Sequence, residues 1–234
     1  LGSFLLVFVI GKILRLERRM FRTLFICFVF GNVAYLGIPT LVQISGESIL
    51  PTASLIVAIY LFWMFSVGIS FLDFTQNQSK KDVLKNIFVN LVKNPLIISI
   101  VLGIVAAKLG ITLPAVVIKS LDMITASATP TVLIVIGLFI GKSKIGQLKD
   151  WTPVLLFSIT TLLVLPALFY FGVKIFGFAP TQFSPSIIQA AMPLAITPFA
   201  LADKFDLRKG FIARSIVLST ILSVISLPFW ISIL

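Results

Sequence analysis

The sequence contains no histidine and has a single cysteine, Cys27, among its 234 residues. Without histidine, the chain cannot build a histidine metal site, a Ser-His-Asp triad or a histidine proton relay. A lone cysteine cannot form a disulfide within the chain. The motifs GxSxG and HExxH and the phosphate-binding glycine loop are also missing. We therefore expect no enzyme, no metal site and no cofactor.

Charged residues are scarce as well, at 12% of the sequence, whereas apolar residues make up 59%. A soluble domain is typically about 45–50% apolar and about 25% charged. A soluble fold of this length cannot bury so much apolar surface, because its exterior must remain largely polar. The composition predicts a protein whose partner is the lipid bilayer.

Long apolar runs recur along the whole chain. About 20 apolar helical residues cross a hydrocarbon core of about 30 Å. We predict an all-α polytopic helical bundle, and one membrane domain that covers 1–234. Its eight predicted helices span 1–14, 22–45, 49–72, 87–109, 114–140, 151–176, 185–203 and 211–233.

The net charge of +11 comes from basic residues that lie between the apolar runs. This distribution argues against nucleic-acid binding and is typical of topology-setting loops. If the 15–22 loop is cytoplasmic, three basic residues fall outside and the other 16 of the 19 fall inside. The three are Lys108, Lys119 and Lys174. We predict a multi-pass plasma-membrane protein with its positively charged loops in the cytoplasm and its C-terminus outside.

Two of the predicted helices contain residues that interrupt a membrane helix, at 31–40 and 191–199. Proline removes a backbone hydrogen bond and clashes with the preceding turn, so the freed groups need protein or a water-filled cavity. Interrupted helices in both halves of a membrane protein indicate a transport site, whereas a kinked packing helix is the plainer interpretation. The predicted substrate-binding residues are Asn32, Gly37, Pro39, Met192, Pro193, Thr197 and Pro198.

Two carboxylates are candidates for coupling or gating. Asp122 lies within the predicted helix 114–140, three residues after Lys119, which places both on one helix face. A solvated position near the membrane surface is the alternative. Asp203 ends the second interrupted helix, where it could line the inner exit.

The order of several short motifs resembles the auxin efflux carrier family. The matching residues are Gly31-Asn32 with Leu36-Gly37-Ile38-Pro39, Asn94-Pro95 with Gly103, Pro130 with Gly137, Met192-Pro193-Leu194-Ala195, and Ser219-Thr220 with Pro228. The family has ten helices in two inverted five-helix repeats. The resemblance implies that this chain corresponds to the last eight, without the first two.

The resemblance also implies that segments 22–45 and 185–203 are crossover helices that meet at mid-membrane. Asn32 matches one substrate-binding asparagine of the family, and Thr197 stands where the other is found. The implied function is elevator-like secondary transport of a small organic anion, such as a malonate-like or auxin-like carboxylate, with proton or sodium coupling in a homodimer. Two alternatives remain open: a sodium-coupled carrier of the bile-acid symporter type, which shares the inverted-repeat plan, and a membrane receptor without transport.

Overall fold

A computed structural model describes residues 15–75, 95–142 and 150–234, with the short stretches 7–9, 11–12, 84–85, 88–89 and 92–93. The predicted helix 1–14 and the first part of 87–109 therefore fall mostly outside the described residues. The same holds for several of the basic loop residues, namely Lys80, Lys81, Lys144 and Lys149.

The described part of the chain is helical, with nine main helices and a 3-10 helix at Pro180–Phe183, and its one extended pairing is an isolated bridge. The prediction of an all-α membrane protein is confirmed. The helices are α1 (Arg18–Val29), α2 (Val33–Ser45), α3 (Glu47–Thr75), α4 (Pro95–Lys108), α5 (Ala115–Lys142), α6 (Trp151–Ile175), α7 (Ser184–Ala190), α8 (Thr197–Leu201) and α9 (Lys209–Ile233).

Three of these helices, α3, α6 and α9, are long and apolar enough to cross a membrane without interruption. α2 and the Ile97–Lys108 part of α4 are shorter apolar helices. The total of eight spans remains a prediction. In the described part, predicted segments 22–45 and 185–203 are each divided into two helices, α1–α2 and α7–α8.

Wide π-helical turns precede two of the prolines. The turn Val33–Gly37 lies before Pro39 in α2, and the turn Thr160–Val164 lies before Pro166 in α6. Proline has no N–H and its ring clashes with the carbonyl four residues earlier. In α6 that carbonyl belongs to Leu162, and it accepts a 2.8 Å hydrogen bond from the Trp230 indole of α9. α6 therefore continues through its proline because α9 supplies the missing donor.

The centre of the bundle is α1, whose residues from Arg22 to its end are all buried. Its phenylalanines pack on two neighbouring helices, Phe25 on Phe71 of α3 and Phe28 on Phe157 of α6. Many apolar side chains of α4 and α5 are exposed instead, including Val116. Exposed apolar faces of this kind suit contact with lipid.

The N-terminal half of α1 binds the loop 202–208 that joins α8 to α9. The Arg22 guanidinium donates to the carbonyl of buried Phe205, and Arg19 forms a 2.9 Å ion pair with Asp206. The Thr23 hydroxyl, which is fully buried, accepts the N–H of Arg208 at 2.9 Å. Basic residues predicted to share the cytoplasmic side are thus brought together.

Replacing Thr23 with valine should destabilise the protein, because the N–H of Arg208 loses its acceptor, the buried Thr23 hydroxyl. A typical intramolecular hydrogen bond contributes about 0.5–1.5 kcal/mol. A chain of this size loses about 2–4 °C of Tm per kcal/mol. Thermal unfolding of the purified protein in detergent measures the shift.

Thr40→Val is the matched control, since the Thr40 hydroxyl donates only to Leu36 within its own helix. Equal shifts of Tm in the two variants would contradict a stabilising role for the contact between α1 and the 202–208 loop.

Candidate functional site

The two helix interruptions lie side by side and bond to each other. The chain leaves helical geometry at 30–32, between α1 and α2, and at 191–196, between α7 and α8. Gly31 and Leu194 form an antiparallel bridge. The N–H of Asn32 donates to the carbonyl of Pro193 at 2.8 Å, and the N–H of Ala195 donates to the carbonyl of Phe30 at 2.9 Å. Each interruption therefore satisfies backbone groups that the other leaves open.

Two further helices anchor this crossing. The N–H of Leu194 donates to the Ser219 hydroxyl of α9 at 3.2 Å. The Tyr60 hydroxyl of α3 donates to the carbonyl of Val29 at 3.0 Å, at the last residue of α1. Gly31 allows this approach, since a Cβ at that position would lie 3.3 Å from the Tyr60 oxygen. The crossing is held from both sides by Ser219, which belongs to one of the motifs quoted above, and by Tyr60, which belongs to none of them.

The first interruption lies earlier in the sequence than its proline. The backbone unwinds at 30–32, whereas Pro39 sits in the first turn of the regular α-helix Ile38–Ser45. The carbonyl of Asn32 accepts the N–H of Gly37 at 3.0 Å, which starts the wide turn that leads into Pro39. Proline at the start of a helix removes an N–H that needs no partner there. The predicted interruption at 31–40 is therefore open at Gly31, and the helix has already restarted at Pro39.

A cavity of about 510 Å³ lies beside the crossing, among α1, α3, α6 and α7. Volumes of this order are typical of small-molecule sites. None of the described residues that line the cavity is charged. The polar lining comes from Tyr60, Thr161, Ser186 and Gln189, and the remaining lining residues are Cys27, Phe28, Gly31, Ile56, Leu165, Leu168, Phe169, Ala190 and Met192.

Two of the polar lining residues have unsatisfied hydrogen-bonding groups. Gln189 is 4% exposed and Thr161 is 5% exposed. Neither the carboxamide of Gln189 nor the hydroxyl of Thr161 has a hydrogen-bond partner among the residues that the structure describes. A buried polar group left in this state costs about 1–3 kcal/mol. These atoms are themselves buried, so a small molecule in the cavity does not contact them in this conformation.

The predicted substrate residues fall at different places around this site. Met192 lines the cavity, and a Cβ at Gly37 would lie 3.5 Å from the Met192 Cγ. Asn32 and Pro193 belong to the crossing itself. Thr197 and Pro198 begin α8, on the far side of the second interruption.

The two predicted coupling carboxylates lie elsewhere and are exposed. Asp122 is on α5, and neither it nor Asp203 lines the cavity. Asp203 forms a 2.5 Å ion pair with Lys209 at the start of α9. The structure does not bring either carboxylate to the crossing.

Sequence reasoning missed Gln189 and Thr161. Gln189 carried a usable signal, because a carboxamide in an apolar run just before a doubly proline-containing stretch is unusual for a lipid-facing helix. Thr161 carried none, since hydroxyl side chains commonly bond back to their own helix. Its position depends on the π-helical turn of α6, and such turns occur frequently at functional sites.

Comparison with known proteins places the chain among transporters. A family model described as "membrane transport protein" matches residues 1–231. The chain is 24% identical to an uncharacterized transporter of Methanocaldococcus jannaschii, over 97% of this chain and 73% of that protein. It is 31% identical to an uncharacterized transporter of Methanothermobacter thermautotrophicus, over 47% of this chain and 36% of the relative. It is 22% identical to probable auxin efflux carrier component 9 of Oryza sativa, over 54% of this chain and 30% of that protein.

The rate at which a thiol reagent modifies Cys27 tests the cavity, because Cys27 lines the cavity and is the only cysteine in the sequence. We expect methyl methanethiosulfonate to modify Cys27 slowly, because the side chain is buried, and Ile56→Trp to slow this reaction severalfold further by filling the cavity. Mass spectrometry of the intact protein measures the rate. Ile59→Trp is the matched control, since Ile59 is an exposed residue of the same helix. Equal slowing by both variants would contradict the cavity.

Proposed function

Because the chain belongs to the membrane transport protein family, which includes the auxin efflux carriers, we propose that it is a secondary transporter of a small organic anion. The anion is a carboxylate of the malonate-like or auxin-like class. One observation carries the proposal: two interrupted helices bond to each other beside a cavity that contains unsatisfied polar side chains. Interrupted helices with exposed backbone groups are a recurring device for substrate binding in secondary transporters.

In this proposal the two crossing segments bind the solute. Asn32 offers a carboxamide next to the bridge, and Gly37 and Met192 form adjoining surfaces where α2 meets the second interruption. Pro193 lies within the second interruption, and Pro39 and Pro198 lie in the first turns of the α-helices that follow the two interruptions. Thr197 supplies a hydroxyl at the start of α8. A carboxylate accepts hydrogen bonds from such donors without a metal ion.

The proposed mechanism is elevator-like alternating access within an inverted-repeat plan. The backbone bonds between the two interruptions favour joint movement of α1–α2 and α7–α8, since separating them would expose unpaired groups to lipid. The contacts of Arg19 and Arg22 with the loop 202–208 also connect α1 to the segment that follows α8. The remaining helices would form the scaffold, and the whole protein would work as a homodimer.

Further parts of the proposal concern coupling and orientation. Asp203 is proposed as a gating residue, because its ion pair with Lys209 lies in the loop that follows the crossing. Asp122 is proposed as a coupling residue on α5, for a proton or a sodium ion. The plasma membrane is the proposed location, with the basic loops in the cytoplasm and the C-terminus outside.

Uptake of radiolabelled indole-3-acetate and malonate into proteoliposomes that contain the full-length protein tests the function. We expect saturable uptake, and Asn32→Ala should lower kcat/KM about tenfold, which corresponds to the loss of one hydrogen bond to a charged group. Thr40→Val on α2 should leave uptake unchanged, since its hydroxyl bonds within its own helix.

Two results would contradict the proposal in distinct ways, and a third would identify the coupling ion. Specific binding without uptake would indicate a receptor. Uptake that requires a sodium gradient would identify sodium as the coupling ion and favour the bile-acid symporter type of carrier. Uptake that survives Asn32→Ala and Pro193→Ala unchanged would remove the crossing from the site.

A further inference from the structure

A second cavity, separate from the crossing, is an apolar groove on the surface between α6 and α9. Its volume is about 450 Å³. Ile225 in this groove is 74% exposed and Phe229 is 50% exposed. In a membrane protein, an open apolar surface of this kind faces lipid. The described residues that line the groove are Leu155, Ile159, Leu162, Leu163, Leu222, Ile225, Ser226 and Phe229, and none of them lines the cavity beside the crossing.

The groove has one charged end, because α6 and α9 run parallel to each other. The two helices meet near their first residues, where the Arg214 guanidinium of α9 lies 3.9 Å from the carboxylate of Asp150, the residue before α6. They meet again near their last residues, where the rings of Tyr170 and Trp230 lie 6.2 Å apart. Since the loop 202–208 leads into α9, this charged end is also the end at which α1 binds that loop.

Arg214 shares a face of α9 with the groove. Ile225 and Phe229 follow it by 11 and 15 residues, close to three and four whole helical turns. Its guanidinium reaches back towards the start of α9, since a Cβ on Gly210 would lie 3.8 Å from the Arg214 Nη2. Long basic side chains extend in this way from apolar surroundings to the headgroup region. The contact with Asp150 is too long for a hydrogen bond and the side chain is 19% exposed, so its N–H donors can bind an acceptor.

The heights of the groove and of Arg214 match the layers of one membrane leaflet. From Leu155 to Leu163 the groove extends along about 12 Å of α6, and half of a hydrocarbon core is about 15 Å thick. Asp150, beside the Arg214 guanidinium, precedes Leu155 by about 7.5 Å of helix. The headgroup layer of each leaflet is about 5–8 Å thick. When the groove lies in hydrocarbon, the guanidinium therefore lies among the headgroups.

We propose that the groove binds an acyl chain of an anionic phospholipid, and that Arg214 binds the phosphate of that lipid. The inference goes beyond the proposed transport function and is independent of the transported solute. Guanidinium and phosphate form paired, charge-assisted hydrogen bonds. A soluble phosphate would meet only the guanidinium, whereas a phospholipid contacts both the guanidinium and the apolar walls.

An excess of basic residues at this end favours an anionic headgroup over a zwitterionic one. Ion pairs such as that of Arg208 with Glu17 neutralise part of the charge, but basic groups remain in excess among the described residues. In the segments 15–22, 73–75, 150–151 and 203–214, the basic residues are Arg15, Arg18, Arg19, Arg22, Lys204, Arg208, Lys209 and Arg214, and the acidic residues are Glu17, Asp73, Asp150, Asp203 and Asp206.

Titration of the purified full-length protein with phosphatidylglycerol, and separately with phosphatidylcholine of the same acyl chains, tests the inference. Native mass spectrometry measures the apparent Kd of the first bound lipid. We expect phosphatidylglycerol to bind severalfold more tightly than phosphatidylcholine. Arg214→Gln should raise the Kd for phosphatidylglycerol about tenfold, because a hydrogen bond to a charged group is lost. Ile225→Trp should weaken the binding of both lipids, because the indole fills the groove.

Each variant has a matched control. Lys204→Gln removes the same charge from an exposed residue at the same end. Val224→Trp adds the same indole beside Ile225, at a residue that is 73% exposed but does not line the groove. Both controls should bind phosphatidylglycerol as tightly as the wild type does. Arg214→Lys, which keeps the charge and loses the paired geometry, should lie between the wild type and Arg214→Gln. Size-exclusion profiles show whether each variant is folded.

Several results would overturn the inference. Unchanged affinity in Arg214→Gln, or equal losses in Arg214→Gln and Lys204→Gln, would remove Arg214 as the phosphate site. Equal affinity for the two lipids would remove the preference for an anionic headgroup. Unchanged lipid binding in Ile225→Trp would exclude the groove, and misfolding of Ile225→Trp alone would indicate that another helix occupies it. None of these results depends on solute uptake, so the proposed transport function is tested separately.

Discussion

A backbone N–H or C=O that leaves a helix inside a lipid bilayer must find another partner, because hydrocarbon offers none. The structure meets this requirement at two places at once. The interruption at 30–32 and the interruption at 191–196 bond to each other, and the Ser219 hydroxyl accepts the remaining N–H of Leu194. The cavity lies beside this crossing because two helices that stop and restart cannot fill the space of two continuous ones. The proposed transport site lies in the space that these interrupted helices leave unfilled.

The same requirement explains features that are far apart in the sequence. Pro166 leaves the carbonyl of Leu162 without its helical donor, and the indole of Trp230 replaces it. Pro39 is accommodated by a π-helical turn that begins at the carbonyl of Asn32. In the loop 202–208, which follows α8, the carbonyl of Phe205 accepts a hydrogen bond from the Arg22 guanidinium. Ser219, Trp230 and Arg22 thus act as partners for backbone groups that proline or unwinding has released.

The sequence was sufficient to predict the helical membrane class, the family and the two interrupted helices. The apolar composition predicts the membrane class. Asparagine, glycine and proline within apolar runs indicate the two interrupted helices. The predicted interruption at 31–40 did not specify where the backbone unwinds, and the chain opens at Gly31 and not at Pro39. A wide turn can absorb a proline, and whether it does depends on tertiary partners. Gln189 was missed although a carboxamide in an apolar run is unusual, whereas Thr161 could not be predicted, because only the packed structure reveals that its hydroxyl lacks a bond within its own helix.

The central claim is that two interrupted helices pair through their backbones and leave a solute cavity beside the pair. An electron cryo-microscopy structure of the full-length protein in nanodiscs tests it most directly. The account predicts non-helical backbone at 30–32 and 191–196, with Gly31 facing Leu194 and open density next to Gln189. Continuous helices through either segment, or two interruptions too far apart to share hydrogen bonds, would contradict it.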